Sequence, residues 1–158
     1  MKMSLDAFRQ KADRLPADAA ECLRKQFICT FIDTESDYYR KYIETVKDCS
    51  DGWCYSGYLW DCFIAPIVIR PDDVINHRDR LRKVFAFWDI HSRDKIWVDD
   101  FWKFGKDTIL RLDFDDLLDN PDYLPEDIYI FDESMQWTLA LTHEYTNGTR
   151  YCVKTGNL

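Results

Sequence analysis

Apolar residues in the first third of the chain recur at helical spacing. Leu5, Phe8, Ala12 and Leu15 fall on one face of a helix, and Pro16 then restarts a second one with Ala19, Ala20, Leu23 and Phe27 on its inner side. A third helix is predicted after Thr34, whose hydroxyl can cap a turn with Asp37 at the third position. It carries Tyr38, Tyr42, Ile43 and Val46 and ends at Asp48 to Gly52. From Trp53 to Ile69 aromatic and β-branched residues mix without one period; their composition suits a short strand, but the pattern does not fix its position. Pro71-Asp72-Asp73 is a helix start, because proline suits the first turn and carboxylates oppose the positive end of the helix dipole. Residues 72 to about 82 are therefore expected to be helical.

Beyond Arg82 the period changes to two. Lys83 to Ile90 reads as a strand around Val84, Phe85 and Phe87, with a turn at His91 to Asp94 and a returning arm at Lys95 to Val98. Thr108 to Leu112 is a further strand and Phe114 to Leu118 a single helical turn. Asp127 to Phe131, a turn at Asp132 to Met135, and the longer strand Gln136 to Tyr145 follow. Asn147-Gly148 then supplies the two residues that tolerate the positive φ of a type I′ hairpin turn, and Thr149 to Lys154 returns. With Thr146 opposite Thr149, this register puts Tyr145 opposite Arg150 and His143 opposite Cys152. The expected fold class is α+β: N-terminal helices against one side of a C-terminal antiparallel sheet that ends in a meander.

The 158 residues, with no linker-like stretch or internal repeat, read as a single domain spanning 1–158. The N-terminus lacks the apolar run of a secretory signal. The longest apolar run, Phe63 to Ile69, is broken by Pro66 and is too short to span a bilayer, so a cytoplasmic protein without membrane contact is expected. Cys22, Cys29, Cys49, Cys54, Cys62 and Cys152 then read as reduced thiols.

Charge changes this picture once it is located. From Leu112 to Thr149 there are ten acidic residues and no Lys or Arg, while the other 19 acids are balanced by the 21 bases outside that span. The whole net charge of -8 is thus concentrated in one quarter of the chain. Such a field repels nucleic acid and attracts a basic protein surface, so no nucleic-acid partner is expected. Six Trp and nine Tyr add the side chains that anchor interfaces, although Trp60, Trp88, Trp97 and Trp137 also fall where a core needs them.

Chemistry is harder to find. No glycine-rich phosphate loop occurs, and the cysteine spacing does not suit zinc. The aspartate run lacks the glycine and terminal glutamate of a calcium loop, so no metal or other cofactor is expected. Cys152 or Cys54 with His143 could form a nucleophilic pair, which keeps a small Cys/His hydrolase or transferase open as an alternative; a packed histidine beside a buried thiol is the blander account.

The tail string Asp127-Ile128-Tyr129-Ile130-Phe131-Asp132, with Trp137-Thr138 and Thr142-His143-Glu144, resembles the closing signature of a group of small uncharacterised bacterial proteins. Leu23-Arg24-Lys25-Gln26-Phe27, Gly57-Tyr58-Leu59-Trp60 with Phe63, and Val84 to Trp88 look like that group's earlier landmarks. The resemblance implies no catalytic role for any residue. More loosely, size, acidity and element pattern look like the immunity proteins paired with contact-dependent bacterial toxins. The expected function is that of an antitoxin, not an enzyme, which binds a basic protein toxin domain of nuclease type. In this reading Asp113, Asp115, Asp116, Asp119, Asp122, Asp132 and Glu133 steer the partner and Tyr123 or Trp137 anchors it. A regulatory or scaffolding module is a further alternative.

Overall fold

The helical spacing of the N-terminal third is realised as three helices, α1 (Leu5–Lys11), α2 (Ala17–Phe31) and α3 (Asp37–Tyr42), with a two-residue strand β1 (Asp13–Arg14) between the first two. These and the elements below come from a computed structural model, which describes residues 1–92 and 101–158. A hairpin of β2 (Lys47–Cys49) and β3 (Gly52–Cys54) follows, then a 3₁₀ turn (Leu59–Cys62), β4 (Ile67–Ile69), α4 (Pro71–Asn76) and β5 (Lys83–Trp88). After α5 (Phe101–Phe104) come β6 (Leu110–Asp113), α6 (Phe114–Asp119), a second 3₁₀ turn (Pro121–Tyr123), β7 (Ile128–Phe131), β8 (Trp137–Thr146) and β9 (Thr149–Gly156).

The protein has the expected α+β class, with a seven-stranded antiparallel sheet in the order β1-β6-β5-β7-β8-β9-β4 and a C-terminal meander of β7, β8 and β9. The helices cover both faces of this sheet, not one. Phe8 and Ala12 of α1, Val74 of α4 and Phe114 and Leu117 of α6 pack on the side of Val84, Ala86, Trp88, Ile128, Ile130, Leu139 and Cys152. Ala20, Phe27 and Phe31 of α2, with Leu59, Trp60 and Phe63, pack on the side of Phe85, Phe87, Tyr129, Phe131, Ala140 and Val153. Central strands enclosed on both sides need apolar residues at every position, which is why Val84 to Trp88 and Ile128 to Phe131 are buried without interruption. Phe27 is the hub of the second layer. Its ring lies 4.7–6.4 Å from those of Phe31, Phe63, Phe87, Tyr129 and Phe131.

Several local expectations shift. Helix α3 is capped by Ser36, whose hydroxyl accepts from the Tyr39 amide, and not by Thr34; Val46 lies beyond the helix and is exposed. Helix α4 stops at Asn76, six residues before the expected end. The returning arm at Lys95 to Val98, and Trp97 with it, lie outside the described residues.

The Asn147-Gly148 turn has the expected positive φ at both residues, and Tyr145 faces Arg150 as the turn dictates. Two residues further the register breaks. Leu141, not His143, faces Cys152, because a bulge intervenes between Leu141 and Tyr145. The four steps from Leu141 to Tyr145 span only two from Cys152 to Arg150, so β8 carries two extra residues here and the alternation of its side chains is interrupted within the bulge. His143 therefore joins the face of Trp60 and Tyr58, and Cys152 is sealed in the opposite layer.

Candidate functional site

The acidic segment folds back onto cations from the rest of the chain. Arg78 lies with Nε 2.9 Å from Asp115 and Nη2 2.5 Å from Asp119. Lys11 meets Asp116 at 3.1 Å, Lys2 meets Asp122 at 2.8 Å, Lys83 meets Asp113 at 3.2 Å and Arg111 meets Glu133 at 3.4 Å. The Lys2 ammonium holds the Asp122 carboxyl below the usual carboxylate range through its hydrogen bond and its charge. Asp132 accepts from the Ser134 amide and from Trp137 Nε1. The expected anchors are also engaged: Trp137 is 4% exposed, while Tyr123 tilts against Phe8 and donates its hydroxyl to the Met3 carbonyl. Each of these ion-pair partners precedes the block in sequence, up to 120 residues away, so a window of 38 residues without a cation does not make a bare anionic face.

Uncompensated negative charge gathers at a different place, where the 3₁₀ turn at Leu59–Cys62 meets the β8 bulge. Asp127 accepts hydrogen bonds from Trp60 Nε1 at 3.1 Å, from the His143 amide at 3.1 Å and from His143 Nδ1 at 2.9 Å. A carboxylate only accepts, so His143 carries its proton on Nδ1. The Tyr58 ring lies over His143 at 5.0 Å and beside Trp60 at 5.5 Å, and Tyr151 completes the aromatic floor 5.7 Å from Trp60. Asp61 and Glu144 stand exposed at the rim. Asp61 takes a hydrogen bond from Tyr38, whose hydroxyl in turn accepts the Tyr58 amide. Among the described residues no Lys or Arg pairs with Asp61, Asp127 or Glu144.

The crowding registers in the titration of the cluster. Partial burial, with Glu144 and Asp127 adding their repulsion, raises the Asp61 carboxyl above its ordinary range. Tyr58 is pushed up to about 12 by burial and then by Asp127, and Tyr151 is raised by burial and by Asp61 and Glu144.

A buried network fixes this surface from beneath. Asp89 accepts from the Tyr55 hydroxyl at 2.9 Å, the Leu59 amide at 3.1 Å and the Tyr129 hydroxyl at 2.6 Å; Tyr129 accepts the Trp60 amide at 3.1 Å. Burial raises Asp89 to about 6. Close by, Arg24 stacks 4.6 Å over the Phe87 ring and donates to the Trp88 carbonyl. The backbone of the 3₁₀ turn is thereby tied to the sheet at two successive residues.

The bulge removes the Cys152–His143 pair, and burial lifts the Cys152 thiol and pushes Cys62 up to about 12, the reverse of activation. Asp127 orients His143 as it would a general base, but among the described residues no hydroxyl or thiol hydrogen-bonds the imidazole. Among the described residues no group of three or more His, Cys, Asp or Glu side chains could hold a metal ion, and no helix is long and apolar enough to cross a membrane.

Sequence reasoning missed Tyr58, Asp61, Glu144 and Tyr151, and placed Trp60 only in the core. The string Tyr58-Leu59-Trp60-Asp61 carried a signal, two large aromatics beside an acid, but its partners on β8 and β9 are set by a bulge that the sequence pattern hides. The domain is thus an α+β protein with a pre-organised aromatic and acidic surface. We found no protein-family model, no curated protein and no solved structure that matches the chain.

Proposed function

We propose that this protein works by binding a cationic protein surface, and that it is an immunity protein which neutralises a basic bacterial toxin domain by covering its active site. The observation that carries the reading is the juxtaposition of Asp61 and Glu144, which no Lys or Arg of the described chain compensates, with the half-buried rings of Tyr58, His143 and Tyr151 over Trp60. An incoming Lys or Arg gains charge attraction there. It also gains a cation–π contact, of about 0.5–2 kcal/mol according to how far it is desolvated. Trp60 and His143, held in place by their hydrogen bonds to Asp127, lose little side-chain entropy on binding, which is the economy of an interface hot spot.

Within this reading the acidic segment has a secondary part. Asp113, Asp122, Asp132 and Glu133 remain at least partly in solvent, and they add long-range attraction that speeds encounter and is screened by salt. Asp115, Asp116 and Asp119 are committed to Arg78 and Lys11.

The test is co-expression with basic bacterial toxin domains of nuclease type, the class of partner proposed. Wild type is expected to restore growth, and Asp61→Lys with Glu144→Lys to lose protection and to weaken binding by about a hundredfold. Unchanged protection by that double variant, with its circular dichroism intact, would refute the reading.

A further inference from the structure

Strand β4 closes one end of the sheet, and among the described residues nothing pairs with its outer edge. Its side chains are unusually apolar for that position, with Ile67 53% and Val68 60% exposed and Ile64, just before the strand, also in solvent. Prolines at 66 and 71 bracket it, so the open ladder is short and has definite ends.

The two faces of this edge differ. Val68 pairs with Val153, so it points to the side of Tyr151, Trp60, Asp61 and Glu144. Ile67 and Ile69 point to the other side, where Ile69 packs against the opposite layer. A strand added beside β4 would meet carboxylates and aromatic rings on one face and aliphatic surface on the other. Arg70, at the end of β4, alternates onto the face of Val68 but forms no ion pair with Asp61 or Glu144.

We propose that the partner docks an extended segment of alternating basic and apolar residues along β4. Backbone hydrogen bonds continue the sheet, basic side chains reach across Tyr151 to Asp61 and Glu144, and apolar ones cover Ile67. This rests on the reading that the partner is cationic. A second copy of this chain fits the edge less well. Pairing β4 with itself about a two-fold axis places both acidic clusters on the same face of the joined sheet, and each copy carries a net charge of -8.

The probe is a blocked synthetic heptapeptide, acetyl-Lys-Val-Lys-Val-Lys-Val-Lys-amide. Its control has the central valine replaced by proline, which keeps the charge and breaks the ladder. Strand addition predicts that the first peptide slows amide exchange at residues 67–69 by about tenfold, that the proline control binds about tenfold more weakly, and that Asp61→Lys with Glu144→Lys abolishes both effects. Equal binding of the two peptides without protection of β4 would overturn strand addition and leave the cationic reading standing. Binding of both that is unaffected by the double variant would remove the cationic reading as well. No binding of either peptide, or a concentration-dependent dimer that protects 67–69 in the peptide's absence, would also overturn the proposal.

Discussion

Asp89 is enclosed by two tyrosine hydroxyls and one amide, and its carboxyl sits near 6 instead of the ordinary 3.8. The folded state therefore holds this proton more tightly than the unfolded chain does. Its contribution to stability is complete below about pH 4 and is lost as pH rises through 6, a difference of up to about 3 kcal/mol for a shift of this size. Asp89→Asn removes the titration, and denaturant midpoints of the variant should be flatter than those of wild type between pH 4 and 7. Parallel curves would show that Asp89 is not the group responsible. Phe27 tests the packing beneath the same surface. Truncation to alanine empties the centre of five aromatic neighbours and should cost about 3–5 kcal/mol by urea unfolding. A residue's rank as core could be read directly from the sequence for Phe27 and Trp88, whereas Trp137, expected as an anchor, is buried. The ionisation of Asp89 could not, because it is raised by burial that the fold alone creates, against the opposing hydrogen bond from Tyr129, 40 residues away.

Elements with a strong local cause were legible. The turn at Asn147-Gly148 follows from two residues that accept positive φ, and the β5, β6, β7, β8 and α6 assignments follow from apolar spacing. The interval from Trp53 to Ile69 was not legible, because its residues answer to the sheet below them and not to a period of their own. The 3₁₀ turn there is held by Asp89 and Tyr129. The bulge in β8 was hidden for a similar reason: the alternation of Trp137, Leu139 and Leu141 predicts that His143 continues the same face, and a bulge of two extra residues interrupts that alternation. At the far end of the same hairpin Gly156 has φ +86°, and a Cβ there would lie 2.1 Å from the Gln136 carbonyl oxygen. Gly156→Ala should therefore cost at least about 2 kcal/mol in thermal or chemical unfolding, with β8–β9 amides losing protection first. A variant as stable as wild type would mean that the strand end adjusts freely.

At the scale of the whole molecule, charge was legible in amount and not in arrangement. The concentration of acids after Leu112 is real, yet the fold answers six of the ten with Lys2, Lys11, Arg78, Lys83 and Arg111, while among the described residues Asp61 and Glu144 meet without a cation beside Asp127, whose partner is His143. Exposed ion pairs such as Lys2–Asp122 contribute little individually, so Lys2→Ala should leave the midpoint of chemical unfolding nearly unchanged. A clear loss would make the pairing structural. The most direct measurement of the central claim is calorimetric titration of a basic toxin domain of nuclease type, the class of partner proposed, into two charge-reversed proteins. Asp61→Lys with Glu144→Lys should weaken binding by about a hundredfold, and Asp115→Lys with Asp116→Lys by no more than about threefold. The opposite order of effects, with the aspartate pair of the acidic segment dominant, would contradict the account.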